Sequence, residues 1–170
     1  MPTKPPTVLL ETSMGDIVIE LDPDLAPKTV ANFLQYIDGG HYTGTVFHRV
    51  IPKFMAQGGG FDTSYQKKPA GPAIENEASP RAKNVRGTVA MARTNDPHSA
   101  TAQFFVNVAD NAFLDHQSKS PDGWGYAVFG KVTQGMDVVE KIVGVRTGAQ
   151  GSFSKDAPIE PVVISTARRL

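Results

Sequence analysis

Phe47-His48-Arg49-Val50-Ile51-Pro52-Lys53-Phe54-Met55-Ala56-Gln57-Gly58-Gly59-Gly60 is the stretch on which the fold turns. It reads as two β-like pieces, Val46–Ile51 and Lys53–Gln57, separated by Pro52, a residue confined to strand edges and bends. On a strand, Phe47, Arg49 and Ile51 point one way and His48 and Val50 the other. An arginine on the face of two large apolar residues is odd if that face is core. Taken alone, Arg49 is a surface charge whose stem covers apolar neighbours. The glycines suit a turn or a close backbone approach. A phosphate cradle is a weaker reading, because no helix follows and no Lys-Ser/Thr pair closes the motif.

Working outward, Thr7–Thr12 and Asp16–Leu21 form a predicted hairpin. The second strand sets Ile17, Ile19 and Leu21 against Val18 and Glu20, with Gly15 in the turn. Ala26–Asp38 reads as a helix, with Pro27 in its first turn, an apolar stripe of Val30, Phe33, Leu34 and Ile37, and Gly39-Gly40 at its end. Phe61 to Arg86 has neither periodicity and is expected to be a long functional loop. Strands resume at Gly87–Ala92, Gln103–Val108 and Tyr126–Val132. A second helix is expected over Gln134–Val143 and a final strand over Pro161–Ala167. Short strands with only two helices favour a closed β architecture over an α/β sheet.

The 170 residues suit one domain, 7–170, behind a short proline-rich lead, 1–6. Lys plus Arg and Asp plus Glu both number 17. That balance argues against a nucleic-acid or anionic-membrane partner, both of which favour a basic excess. Cysteine is absent, which excludes disulfides and thiolate chemistry. Histidines 41, 48, 98 and 116 lack metal-ligand spacing, so no metal is expected. His98 and Ser99 adjoin without a nucleophile elbow, which argues against a hydrolytic triad. No apolar segment follows Lys4 as a secretory leader requires, so a cytoplasmic location is expected, although a trimmed periplasmic form would read the same.

Several motifs in order and register then resemble one family. Phe47–Pro52 with Phe54–Gly59, Gly87–Ala92, Gln103–Phe105 and Val128–Val132 look like the signature of the cyclophilins. Asp96–Thr101 and Asp110–Asp115 are similar to the compact bacterial members. The resemblance runs from about residue 7 to the carboxyl terminus. It implies a mostly β fold, an eight-stranded antiparallel closed barrel capped by two α-helices, with substrate bound on the barrel's outer face. It also implies peptidyl-prolyl cis-trans isomerase activity with no cofactor. Proline-containing peptides and folding proteins would be the partners of an expected monomer.

Carried over by motif, Arg49 and Gln57 are the catalytic polar pair, and Phe54, Met55, Phe105 and Leu114 line a proline pocket. Ala92 and Gln103 border the peptide's path, with Arg93 and Thr94 beside them. Phe113 stands where eukaryotic members carry Trp, and Tyr126 where they carry His. Loss of the indole N–H implies weak cyclosporin binding. The alternative is a non-catalytic proline-peptide binding module or chaperone using the same groove.

Overall fold

The computed structural model describes residues 5–170; most of the proline-rich lead, residues 1–4, lies outside the described residues. Its strands are β1 Thr7–Thr12, β2 Gly15–Leu21, β3 Thr45–Val46, β4 Arg49–Ile51, β5 Met55–Gly58, β6 Thr88–Met91, β7 Phe104–Asn107, β8 Val128–Gln134, β9 Thr147–Gln150, β10 Phe153–Pro158 and β11 Val163–Arg169. Two helices, α1 Pro27–Asp38 and α2 Met136–Val143, complete the set.

Nine strands form one antiparallel sheet in the order β3-β11-β1-β2-β8-β6-β7-β5-β4, while β9 and β10 make a separate ribbon. The fold is therefore mostly β with two helices, as expected, but the expected closed barrel of eight strands needs correction. The ladder is a strongly curled sheet whose outermost strands, β3 and β4, are consecutive in the chain. The cause lies at Phe47–His48. There the run leaves β11, with the Phe47 N–H donating to the Val162 carbonyl at 3.0 Å, before Arg49–Ile51 pairs with β5. One expected strand becomes two, and each ends one side of the sheet.

Period-two alternation fills the inside. Ile17, Ile19 and Leu21 of β2 are fully buried, and Val106 of β7 and Phe129 of β8 share their cluster. Phe33 of α1 meets Tyr42, Phe104 and Phe129 with ring centroids 5.0–5.7 Å apart. Burying a side chain of this size contributes roughly 1.5–3 kcal/mol. The apolar stripes of α1 and α2 join the same core, with α1 against β11 and α2 against β2, β4 and β5. α2 starts at Met136 rather than Gln134 because Gln134 still pairs with Val18, and Gly135, at φ 92°, makes the corner.

Other differences from expectation are local. Lys53 and Phe54 leave β5 for a tight turn in which the Phe54 N–H donates to the Ile51 carbonyl at 3.1 Å. Lys53 sits there at φ 65°, the conformation that the third residue of a proline-led turn needs. Tyr126 precedes β8 instead of opening it. Residues 61–86 contain no strand or helix, only isolated bridges.

Candidate active site

Strand register assembles the site. Arg49 faces Gln57 across β4–β5, Gln57 faces Phe105 across β5–β7, and Phe105 faces Ala90 across β7–β6. These side chains share the sheet's outer face, because Ala56, Phe104 and Val106 between them point into the core. A second apolar cluster therefore forms outside: Met55, Ala90, Ala92, Phe105, Leu114 and Val128, with Phe54 and Tyr126 packed on it.

A groove of about 340 Å³ opens on this face. Ten sequence-predicted residues line it: Arg49, Phe54, Met55, Gln57, Ala92, Arg93, Gln103, Phe105, Leu114 and Tyr126. Two do not. Thr94 turns away because its N–H and hydroxyl both bond the Ser99 hydroxyl, at 2.9 and 2.8 Å, in the turn beyond. Phe113 is 69% exposed on a one-turn 3-10 helix, Ala112–Leu114. Its ring lies 5.6 Å from that of Phe54, and it lines a neighbouring depression with Asp115 and Asp122. Sequence reasoning missed three lining residues, His48, Phe61 and Phe153.

The polar groups are held in distinct ways. Arg49 is exposed, takes part in none of the ion pairs of the described residues, and has its guanidinium carbon 6.0 Å from the Phe54 ring centroid. It is a cation without a carboxylate, beside an apolar pocket. Gln57 donates from Nε2 to Gln103 Oε1 at 3.1 Å, which leaves its own Oε1 and second N–H for a ligand. Gly60 makes room for this pair, since a Cβ there would fall within the Gln103 side chain. Arg93 is a brace. Its Nε and Nη2 donate to the Gly125 carbonyl at 3.2 and 2.9 Å, and its guanidinium carbon lies 4.4 Å from the Tyr126 ring centroid.

Behind the pocket lies a chain of buried amides to which the sequence reading gave no role. Asn107 Nδ2 donates to Asn84 Oδ1 at 3.1 Å, and Asn111 Nδ2 donates to Asn107 Oδ1 at 2.8 Å. From its two ends Asn111 bonds the Phe54 carbonyl at 2.9 Å, and Asn84 bonds the Leu114 and Tyr126 carbonyls at 3.2 and 3.3 Å. Three walls of the pocket are thus tied to one network. The signal in the sequence was Asn107 itself, a poor strand former inside the apolar run Phe104–Val108.

His48 is 2% exposed, its ring stacked on Phe153 and tilted against Phe61. Burial, helped by the Arg49 charge, lowers its pKa to about 4, so the ring is neutral at physiological pH.

Comparison with known proteins agrees with this geometry. Residues 7–169 match the family model described as cyclophilin type peptidyl-prolyl cis-trans isomerase/CLD. A peptidyl-prolyl cis-trans isomerase of Streptomyces antibioticus is 60% identical over 164 residues, covering 96% of this chain and 98% of that protein. Peptidyl-prolyl cis-trans isomerase B of Escherichia coli K12 is 54% identical over 159 residues, 94% of this chain and 96% of that one. A Cryptosporidium parvum cyclophilin type isomerase, crystallised in the presence of the dipeptide Ala-Pro, superposes with a TM-score of 0.77 at 26% identity over 95% of this chain and 97% of that chain. The chain belongs to the cyclophilin-type peptidyl-prolyl cis-trans isomerases, and accelerating rotation about X-Pro bonds is its activity.

Proposed function

We propose that Arg49 and Gln57 carry the reaction on a proline held by Phe54, Met55, Phe105 and Leu114. The observation behind this is the register that sets an ion-pair-free guanidinium opposite Gln57 at the rim of an apolar pocket. The two isomers of an X-Pro bond differ by only about 0.5–1 kcal/mol, yet amide resonance raises a barrier of roughly 18–20 kcal/mol between them. Catalysis requires favouring the twisted state, in which the prolyl nitrogen regains its lone pair. Arg49 donates to that lone pair, and its planar, permanently charged fork suits the task. The pocket grips the ring while the acyl side rotates, and Gln57 orients the flanking peptide group. Neither a nucleophile nor a cofactor is needed for this step.

Substrates on this reading are proline-containing segments of folding chains, and Phe113, which lacks an indole N–H, makes cyclosporin a weak ligand. The test is a protease-coupled assay on a proline tetrapeptide. Arg49→Ala should lose about a hundredfold in kcat/KM, the scale of one lost transition-state donor, with an unchanged circular dichroism spectrum. Arg49→Lys should recover little of it. Near-wild-type rates in folded Arg49→Ala would refute the assignment.

A further inference from the structure

The antiparallel register of β4 and β5 orders the groove along its length. Ile51 faces Met55 beside the proline pocket, and Arg49 faces Gln57 next. Beyond that pair β4 leads back to His48, and β5 leads on through Gly58–Gly60 to Phe61. The groove ends there on three rings. His48 lies 4.6 Å from Phe61 and 5.1 Å from Phe153, and Phe61 lies 4.8 Å from Phe153. Phe61 and Phe153 pack with Val46, Tyr65 and Ala157, an apolar cluster separate from the one under the proline pocket. One cavity nevertheless touches both clusters.

His48 supplies an independent observation. Its Nδ1 is buried and has no hydrogen-bond partner, an uncommon state for a buried polar atom. A lone pair is more readily left unpaired in an interior than an N–H. That places the proton on Nε2, a neutral donor on the ring that lines the groove.

We propose that His48, Phe61 and Phe153 form a second subsite, which takes an aromatic or large aliphatic side chain two or three residues from the substrate proline while His48 Nε2 donates to a peptide carbonyl. This rests on the isomerase reading of the groove. The spacing follows from the strands, since an extended substrate advances about 3.3 Å per residue, as β4 does from Ile51 to Arg49, with His48 the next residue beyond. Arg49 at the mouth of the subsite disfavours a cationic side chain there. The subsite would make this enzyme read sequence around the proline.

The test is kcat/KM over peptides with one X-Pro bond and alanine elsewhere, in which Phe, Leu or Lys replaces alanine at each of three positions on either side. Phe or Leu at one position should raise kcat/KM about tenfold, equivalent to about 1.4 kcal/mol, and Lys at that position should lower it. Phe153→Ala should bring the Phe/Ala ratio close to one, whereas Phe54→Ala should lower both peptides together and keep the ratio. Phe153 packs in a small core, so circular dichroism checks the variant, and a titration of the wild-type protein followed by NMR provides a second reading. The Phe peptide should shift the His48 and Phe153 ring signals more than the alanine peptide does. Equal rates at every position, a ratio that survives in folded Phe153→Ala, or unmoved ring signals would each overturn the subsite. Failure to turn over any proline peptide would instead overturn the isomerase reading itself.

Discussion

Gly60 and His48 show how single positions set the behaviour of the groove. A Cβ at Gly60 meets Gln103 and no backbone atom among its nearest neighbours, and a flexible side chain can move away. Gly60→Ala is therefore expected to push Gln103 off Gln57 and lower kcat/KM severalfold, with an unfolding midpoint close to wild type; equal loss of both would show that the glycine serves the backbone instead. His48 gives a pH signature. Its folded pKa lies near 4, below the ordinary 6.5, so between those values the unfolded chain takes up a proton that the native ring refuses. Stability should be full above pH 6.5, fall as pH drops toward 4, and level off below that as far as this group is concerned. The loss is on the order of 3 kcal/mol at 1.36 kcal/mol per unit. His41, lowered by its own burial, acts in the same direction. Urea midpoints measured from pH 7 to 4 should slope less in His48→Gln than in wild type. Arg49 was legible in the sequence only because several motifs lay in register with it; His48 was not, because one strand reading sent it to the opposite face from Arg49, where the break at Phe47–His48 returns it to the groove.

Among the elements, those with regular alternation were the readable ones. β1, β2 and α1 lie within a residue of their expected bounds; β2 and α1 each bury one face, while β1 buries Val8, Leu9 and Leu10 in a row and is bounded by its turn to β2. The ribbon of β9 and β10 was missed. Thr147–Pro158 carries Gly148, Gly151, Lys155 and Asp156 and no apolar alternation, so the two-residue turn Gly151-Ser152 between Gln150 and Phe153 was its one local signal. With it went Phe153, the far wall of the groove. The asparagine network belongs to this scale as well, because it links strand β7 and the turn before β5 to the 3-10 turn and the segment before β8. Asn107→Leu leaves Asn84 Oδ1 and one Asn111 N–H unpaired in the interior. Each unsatisfied group costs roughly 1–3 kcal/mol, so urea unfolding should show a loss of about 2–6 kcal/mol. kcat/KM should also fall as Phe54 and Leu114 lose their common anchor; a stability loss with unchanged kinetics would mean that the network holds the fold but not the pocket.

For the whole molecule, the continuity of the sheet depends on its last strand. β11 lies between β3 and β1, and Arg169 at its end forms two bonds with Asp38 of α1, at 2.9 and 2.6 Å. That ion pair is exposed and screened by solvent, so it contributes little; the ladder carries the burden. A chain ending before Val163 should lack cooperative thermal unfolding, whereas Arg169→Ala should shift the midpoint by only a degree or two. Calorimetry distinguishes the two. The sheet's outermost strands, β3 and β4, are two and three residues long, and this has a consequence for traffic through the enzyme. Unfinished chains present bare backbone that zips onto any long exposed strand. At either end of the nine-stranded sheet such a chain finds only two or three residues to pair with. The main sheet therefore gives a sticky polypeptide no long edge to extend, and its ends are poor seeds for aggregation.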